Sequence, residues 1–183
     1  MVPGDDKELV ARVLSAQDMA AFGELIRRHQ SHVRNFLRKL SGDFTLADDL
    51  AQDCFMHAWE KLHTYSGKGS FIGWLLKVAY TTFLQSKRKS KRYAEILEEA
   101  GNAAVAGERS SSAHFDEAGD LDRFLAVLTE EERAIMVMSY ACGLSHREIG
   151  LSMAMPVGTV KSMIFRGKEK IRTNFGIQDR QHG

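Results

Sequence analysis

Residues 143–170, GLSHREIGLSMAMPVGTVKSMIFRGKEK, are laid out as two helices about a tight turn. Ser145 and Glu148 have the spacing of a capping box, in which each side chain satisfies a backbone N–H of the other at a helix start. Ile149 and Met153 follow at helical steps. Met153-Ala154-Met155 reads as the turn. Pro156 stands at the start of the second helix, where a missing N–H costs little. That helix turns Val160, Ile164 and Ile171 inward and presents Thr159, Lys161, Ser162, Arg166, Lys168 and Lys170 outward. Short hydroxyls and long cations on one helix suit the major groove of a duplex, where they reach base edges and phosphates. An ordinary helical hairpin with a solvated basic face has the same pattern, and this segment alone leaves both readings open.

The rest of the chain predicts an all-α protein. There are two prolines in 183 residues and few β-branched runs. Residues 6–16 form a first helix, capped by Asp5 or Asp6, with Leu9, Val10, Val13 and Leu14 inward. Over 19–40, Phe22, Leu25, Ile26, Val33, Phe36, Leu37 and Leu40 recur at three- and four-residue steps and make one apolar stripe. Ser41-Gly42 ends it. Thr45 with Asp48 reads as a capping box for a helix running to about His63. Two glycines in three residues make Tyr65-Ser66-Gly67-Lys68-Gly69 a loop. Ser70 then caps a helix to about Lys89. Residues 99–118 lose all periodicity, are rich in Ala, Gly and Ser, and read as a flexible tether. Helical pattern returns at Leu121, and Thr129 with Glu132 forms a third capping box. The expected organisation is two small helical domains, 1–93 and 120–176, an acidic linker over 94–119, and a tail at 177–183.

Net charge is +1, but the charge is segregated. Residues 43–60 carry Asp43, Asp48, Asp49, Asp53 and Glu60 and no lysine or arginine. Residues 87–92, KRKSKR, hold five cations in six positions. Residues 93–132 are net −9, and residues 161–172 are net +4. Such blocks point to several partner surfaces on one chain. No apolar run approaches the roughly 18–20 residues of a membrane span. The opening MVPGDDKELV is polar and acidic, unlike a secretory signal. Cys54 and Cys142 stand alone, with no CxxC pair. No HExxH, phosphate-binding glycine loop or serine elbow is present, which predicts a binding protein without catalytic residues, metal or cofactor.

Two further surfaces emerge from helical geometry. On the helix from 46 to 63, Leu46, Leu50, Cys54, Ala58 and Leu62 share one side, and Asp49, Gln52, Asp53, Met56 and Glu60 the other. The second side is either a solvated face or a ridge that pairs with arginines of a partner protein, with Phe55 and Trp59 at its rim. Between Tyr65 and Arg92, Tyr65, Phe71, Trp74, Tyr80 and Phe83 lie beside the basic run. Aromatics beside cations are what single-stranded DNA binding requires. Phe71, Trp74 and Val78 fall at core spacing, so Tyr80 and Thr81 are the residues expected to face out.

In this order the pieces resemble the extracytoplasmic-function sigma factors of the sigma-70 superfamily. DDLAQDCFMHAWEKLHTY is similar to their region 2 core-binding helix, and GSFIGWLLKVAYTTFLQSKRK to their −10 recognition segment. The stretch from LTEEERAIMV to KEKIR resembles region 4. The similarity covers roughly residues 18–92 and 121–173. It implies a cytoplasmic bacterial protein that binds core RNA polymerase and promoter DNA, and an anti-sigma factor that restrains it, in some cases at the membrane. By resemblance, Asp48, Asp49, Gln52, Asp53 and Met56 would dock on polymerase. Tyr65, Ser66, Gly67, Lys68, Gly69 and Ser70 would form a pocket for a flipped −10 base, with Tyr80, Thr81, Lys87 and Arg88 beside it. Thr159, Lys161, Ser162, Phe165, Arg166 and Lys168 would face the −35 duplex. The chain departs from the family pattern at Tyr80-Thr81, Gln85 and Ala154, and at Met163, where a basic residue is common and a DNA contact would be lost. A helix-turn-helix regulator of the response-regulator or quorum-sensing type, or a sigma mimic that binds only protein, are the competing readings.

Overall fold

The structure is a computed structural model that describes residues 5–99 and 119–176. The first half is a four-helix unit: α1 (Asp6–Ala16), α2 (Met19–Ser41), α3 (Phe44–Lys61) and α4 (Phe71–Glu99). A 3₁₀ turn, Leu62–Thr64, continues α3. Aspartates start the first three helices. Asp5, Asp18 and Asp43 accept from the N–H groups of Glu8, Ala21 and Leu46 at 2.8, 2.9 and 3.0 Å. Each satisfies a backbone donor that the helix leaves unpaired. The apolar stripe of α2 buries Leu25, Val33, Phe36, Leu37 and Leu40. On α3 the buried positions are Ala47, Leu50, Ala51, Cys54 and Ala58, mostly small, which lets α2 and α4 approach closely. Leu75, Leu76 and Ala79 of α4 close this core. Each fully buried leucine contributes about 1.5–3 kcal/mol.

The second half holds α5 (Asp120–Ala126), α6 (Glu130–Tyr140), α7 (His146–Met153) and α8 (Val157–Phe175). Both expected capping boxes form here, Thr129 with Glu132 and Ser145 with Glu148. Leu125, Leu128, Ile135, Met138, Ile149, Val160, Met163 and Ile164 make the core. Ala154 takes a left-handed conformation (φ 55°, ψ 45°) that sets the turn between α7 and α8. Among the described residues no helix is long and apolar enough to cross a membrane.

The two halves pack against each other, α6 on α2 and α7 on α4, and their buried side chains form one continuous cluster. Arg133 of α6 donates from Nη1 to the Leu40 carbonyl at the end of α2 (3.0 Å) and from Nε to the Leu125 carbonyl (3.0 Å). Lys39 Nζ meets Asp122 Oδ1 at 3.0 Å, and Lys87 pairs with Glu130. At Gly73 the approach is so close that a Cβ would sit 2.4 Å from Ser152 Oγ and 3.4 Å from Leu144 Cδ2. Glycine lets α7 lie this low on α4 with the Ser152 hydroxyl undisturbed; any Cβ would force that hydroxyl to turn aside.

Several expectations change. Thr45 and Asp48 form no capping box: Asp43 caps α3, and Asp48 is drawn between Arg34 Nε (3.6 Å) and Arg38 Nη2 (3.7 Å) of α2. Leu14 and Leu46, expected inward, are 45% and 37% exposed. The helix expected to end near Lys89 continues to Glu99. Ser70 does not cap it; its buried hydroxyl turns toward the Glu148 carboxylate of α7. The periodicity-free tether falls almost wholly at 100–118, outside the described residues.

Candidate nucleic-acid interface

The outer face of α8 is the most open of the candidate surfaces. Thr159, Lys161, Ser162, Phe165, Arg166 and Lys168 are all exposed. All but Lys168 join Pro156 and Gly158 around a shallow concavity of about 900 Å³. Val160, Met163, Ile164 and Gly167 point the other way, into the core. Met163 is 7% exposed, so it is packing and not a position where a cation is missing from the outer face. Lys170, expected outward, instead binds Glu132 through Nζ at 2.7 and 2.9 Å. Lys168 lies over the Tyr140 ring, 5.2 Å from its centre. α7 aims α8 through its cap: the Ser145 hydroxyl and N–H hold the Glu148 carboxyl below the usual range, with the Ser70 hydroxyl adding to them against the opposing pull of burial.

The loop before α4 divides into covered and open parts. The Tyr65 ring is buried between Phe71 and Trp74, with ring centres 5.6 and 5.8 Å away. Its hydroxyl donates to the Gly69 carbonyl (3.1 Å) and closes the loop on itself. Burial, then the nearby Asp6 and Asp5, push the phenol pKa up. Gly67 and Gly69 have φ of 72° and 84°, where other residues are strained. Ser66 and Lys68 are exposed, whereas Gly69 and Ser70 lie under α7, with Leu151 against Gly69.

Beyond the loop, α4 and the end of α3 frame a groove of about 160 Å³, lined by His57, Lys61, Thr64, Trp74, Lys77, Val78, Thr81, Thr82 and Gln85. Thr81 faces it as expected. Tyr80 does not: it is 6% exposed, and burial, with Glu131 and Glu130 of α6, raises its phenol to about 12. The packing of α6 on α4 is what covers it. Lys87 of the basic run is taken up by Glu130, whereas Arg88 is exposed. Sequence reasoning missed His57, Lys61, Thr64 and Lys77. The signal was there, since 74, 78, 81 and 85 step along one helical stripe, with Lys77 beside it.

On α3, Asp49, Gln52, Asp53 and Met56 share an exposed face. Asp48 stands apart, half-buried against its two arginines. Phe44, 70% exposed, lies beneath the guanidinium of Arg38 (4.8 Å), the same arginine that holds Asp48, and was not anticipated. Both cysteines are shielded: burial raises the Cys54 thiol to about 12 and that of Cys142 to about 11.

Comparison with known proteins agrees with this layout. Residues 25–93 match the family model for sigma-70 region 2, and residues 118–171 that for sigma-70 region 4. The chain is 31% identical to the ECF RNA polymerase sigma-E factor of Escherichia coli K12 over 181 residues, which is 91% of this chain and 92% of that protein. It is 32% identical to the ECF RNA polymerase sigma factor SigE of Mycolicibacterium smegmatis over 158 residues, covering 84% of this chain but 61% of that relative. The fold is shared with CnrH, solved in complex with the cytosolic domain of CnrY (TM-score 0.67, 24% identity, 93% and 97% of the two chains). It is also shared with the sigma factor RpoE, solved with the anti-sigma factor NepR from Bartonella quintana (TM-score 0.68, 22% identity, 86% and 98%). With both sigma-70 regions in order and a 31% identical relative aligned over nearly its full length, the chain belongs to the extracytoplasmic-function family of RNA polymerase sigma factors.

Proposed function

We propose that this chain is a promoter-specificity subunit of bacterial RNA polymerase, working in the cytoplasm through binding and not catalysis. Residues 1–93 serve as the polymerase-docking and −10 unit, 120–176 as the −35 unit, 94–119 as the connection and 177–183 as a tail. Asp49, Gln52, Asp53 and Met56 meet the polymerase, with Asp48 shaping the ridge from behind through Arg34 and Arg38. The loop from Ser66 to Ser70, closed by Tyr65, takes a flipped −10 base, and Thr81, Arg88 and Lys87 flank the melted strand. Capture there requires α7 to leave Gly69 and Ser70, and Lys87 to exchange Glu130 for a phosphate. Thr159, Lys161, Ser162, Phe165, Arg166 and Lys168 read the −35 duplex. The observation that carries this reading is the outer face of α8, which presents cations, hydroxyls and an exposed aromatic to solvent on one helix. The complexes of its structural neighbours with a cytosolic domain and with an anti-sigma factor support a similar protein restraint on this chain.

The test is reconstitution. Core RNA polymerase with the purified chain, given sheared genomic DNA of the source bacterium, is expected to start transcripts from a small set of related promoters. The double variant Asp49→Lys/Asp53→Lys is expected to fold normally yet lose polymerase binding. Promoter-independent transcription by the reconstituted enzyme, or full binding by the double variant, would overturn the assignment.

A further inference from the structure

Thr82 fixes the chemistry of His57 in the α3–α4 groove. The Thr82 hydroxyl, almost fully buried, donates its single hydrogen to the Val78 carbonyl four residues back (3.0 Å). With that hydrogen directed to Val78, the hydroxyl meets His57 Nδ1, 3.0 Å away, as an acceptor. In this arrangement Nδ1 is assigned the ring hydrogen, and in the neutral imidazole Nε2 is left bare. The same logic applies to Thr81, whose hydroxyl donates to the Lys77 carbonyl (2.9 Å) and offers the groove only lone pairs. Thr64 likewise donates to the Lys61 carbonyl (2.7 Å) and accepts from Trp74 Nε1 (3.2 Å). The groove thus combines acceptors at His57 and Thr81 with the indole of Trp74 and the side chains of Lys61 and Lys77, the latter resting its ammonium over the Tyr80 ring, 5.5 Å from its centre.

We propose that His57 reads a base bearing an exocyclic amino group, adenine or cytosine, in the single strand that enters this groove. The inference rests on the reading of the groove as the path of the −10 strand. An amino group brings two N–H donors, and the two lone-pair sites accept them. The ring nitrogen beside that amino group is an acceptor in both bases and takes a proton donor from a lysine. Thymine presents a carbonyl where the amino group would be, which faces lone pairs, and an N–H toward the lysines. Guanine carries its 2-amino group beside N1–H on the Watson–Crick edge, so it too places a donor toward the lysines. Trp74 offers a stacking surface that tolerates either accepted base. A phosphate is disfavoured at Nε2, because both groups are acceptors.

The experiment uses holoenzyme assembled from the full chain and core polymerase, at pH 8. Single-stranded −10 oligonucleotides carry, one position at a time, purine in place of adenine or 2-pyrimidinone in place of cytosine, which removes only the amino group. One position is expected to lose about five- to tenfold or more in affinity. His57→Phe should abolish the effect at that position and leave all others intact. His57→Gln, whose amide oxygen accepts, should retain most of it. Thr82→Val, which frees the ring, should weaken discrimination at the same position. An unchanged analogue profile for His57→Phe, or uniform weakening at all positions, overturns the proposal. Lys61→Gln/Lys77→Gln separates the two levels. If it weakens single-strand binding at every sequence while His57→Phe has no effect, only the role of His57 falls. If it too has no effect, the groove is not the strand's path and the −10 assignment falls with it.

Discussion

Glu132 is nearly buried, 6% exposed, at the third position of α6, and it carries two duties. Its carboxylate accepts from the Thr129 N–H (3.0 Å) to complete the capping box, and from Lys170 Nζ (2.7 and 2.9 Å) to tie α6 to α8. Glu132→Gln keeps the shape and the cap, because glutamine also serves at that position. It loses the charge. A hydrogen bond to a charged group contributes about 1.5–3 kcal/mol. The Lys170 side chain is 40% exposed and regains water, so the loss belongs at the lower end, about 1.5–2 kcal/mol. For a chain of this size that lowers Tm by roughly 3–8 °C. The effect is also pH-dependent. Burial alone would raise the Glu132 pKa, but the Lys170 ammonium and the Thr129 N–H and hydroxyl outweigh it and bring the carboxyl below its usual range. Its stabilisation is therefore full above the unfolded carboxylate pKa and is lost as pH falls through the lower folded value. Glutamine does not titrate, so the gap between wild type and variant closes in acid. Urea unfolding in steps from pH 7 to pH 3 measures this. A gap that stays constant with pH, or one below about 0.5 kcal/mol at pH 7, would refute the reasoning.

Met163→Lys, which would add the cation the family often has, is expected to destabilise the second half by about 2–4 kcal/mol and not to strengthen DNA binding, because the side chain points into the core and the charge would be buried unpaired; calorimetry alongside duplex binding decides it. Gly73→Val should force α7 off α4, since even a Cβ would lie 2.4 Å from Ser152 Oγ. Small-angle scattering should then show a larger radius of gyration, and an unchanged curve would contradict the packing argument. Arg166→Ala should reduce transcription from −35-dependent promoters by an amount equivalent to about 1–3 kcal/mol, with start sites that rely on the −10 element alone less affected; equal loss at both promoter types would remove it from base reading.

What could be read from the sequence was local. The capping boxes at Thr129 and Ser145 involve residues three apart and formed as expected. The same spacing at Thr45 and Asp48 misled. Asp43 already capped the helix, and the arginines that hold Asp48 come from α2, which helical spacing within α3 cannot reveal. Tyr80 differs: it stands four residues after Leu76 and three before Phe83, an apolar stripe legible in the sequence, but the stripe's partner α6 lies fifty residues on. Lys170 was legible as a charge, but its partner lies thirty-eight residues away. Met163 is different. It stands three residues after Val160, on the inner stripe, and strict counting would have placed it there. His57 was invisible as a site residue because its role depends on Thr82, one helix away.

Under the proposed roles, the seating of α7 on α4 makes −10 capture a question of populations. Gly69 and Ser70 are partly covered while the halves stay together, and the outer face of α8, proposed to read the −35 duplex, is open in the same state. A molecule that must open before it binds has an apparent dissociation constant equal to the intrinsic one divided by the open fraction. At one open molecule in a hundred, affinity for the −10 strand falls about a hundredfold, equivalent to about 2.7 kcal/mol. Any partner that binds only the parted form restores that factor, and any partner that binds only the closed form deepens it. On that reading, a protein that binds at the seam between the halves would control promoter melting without touching DNA.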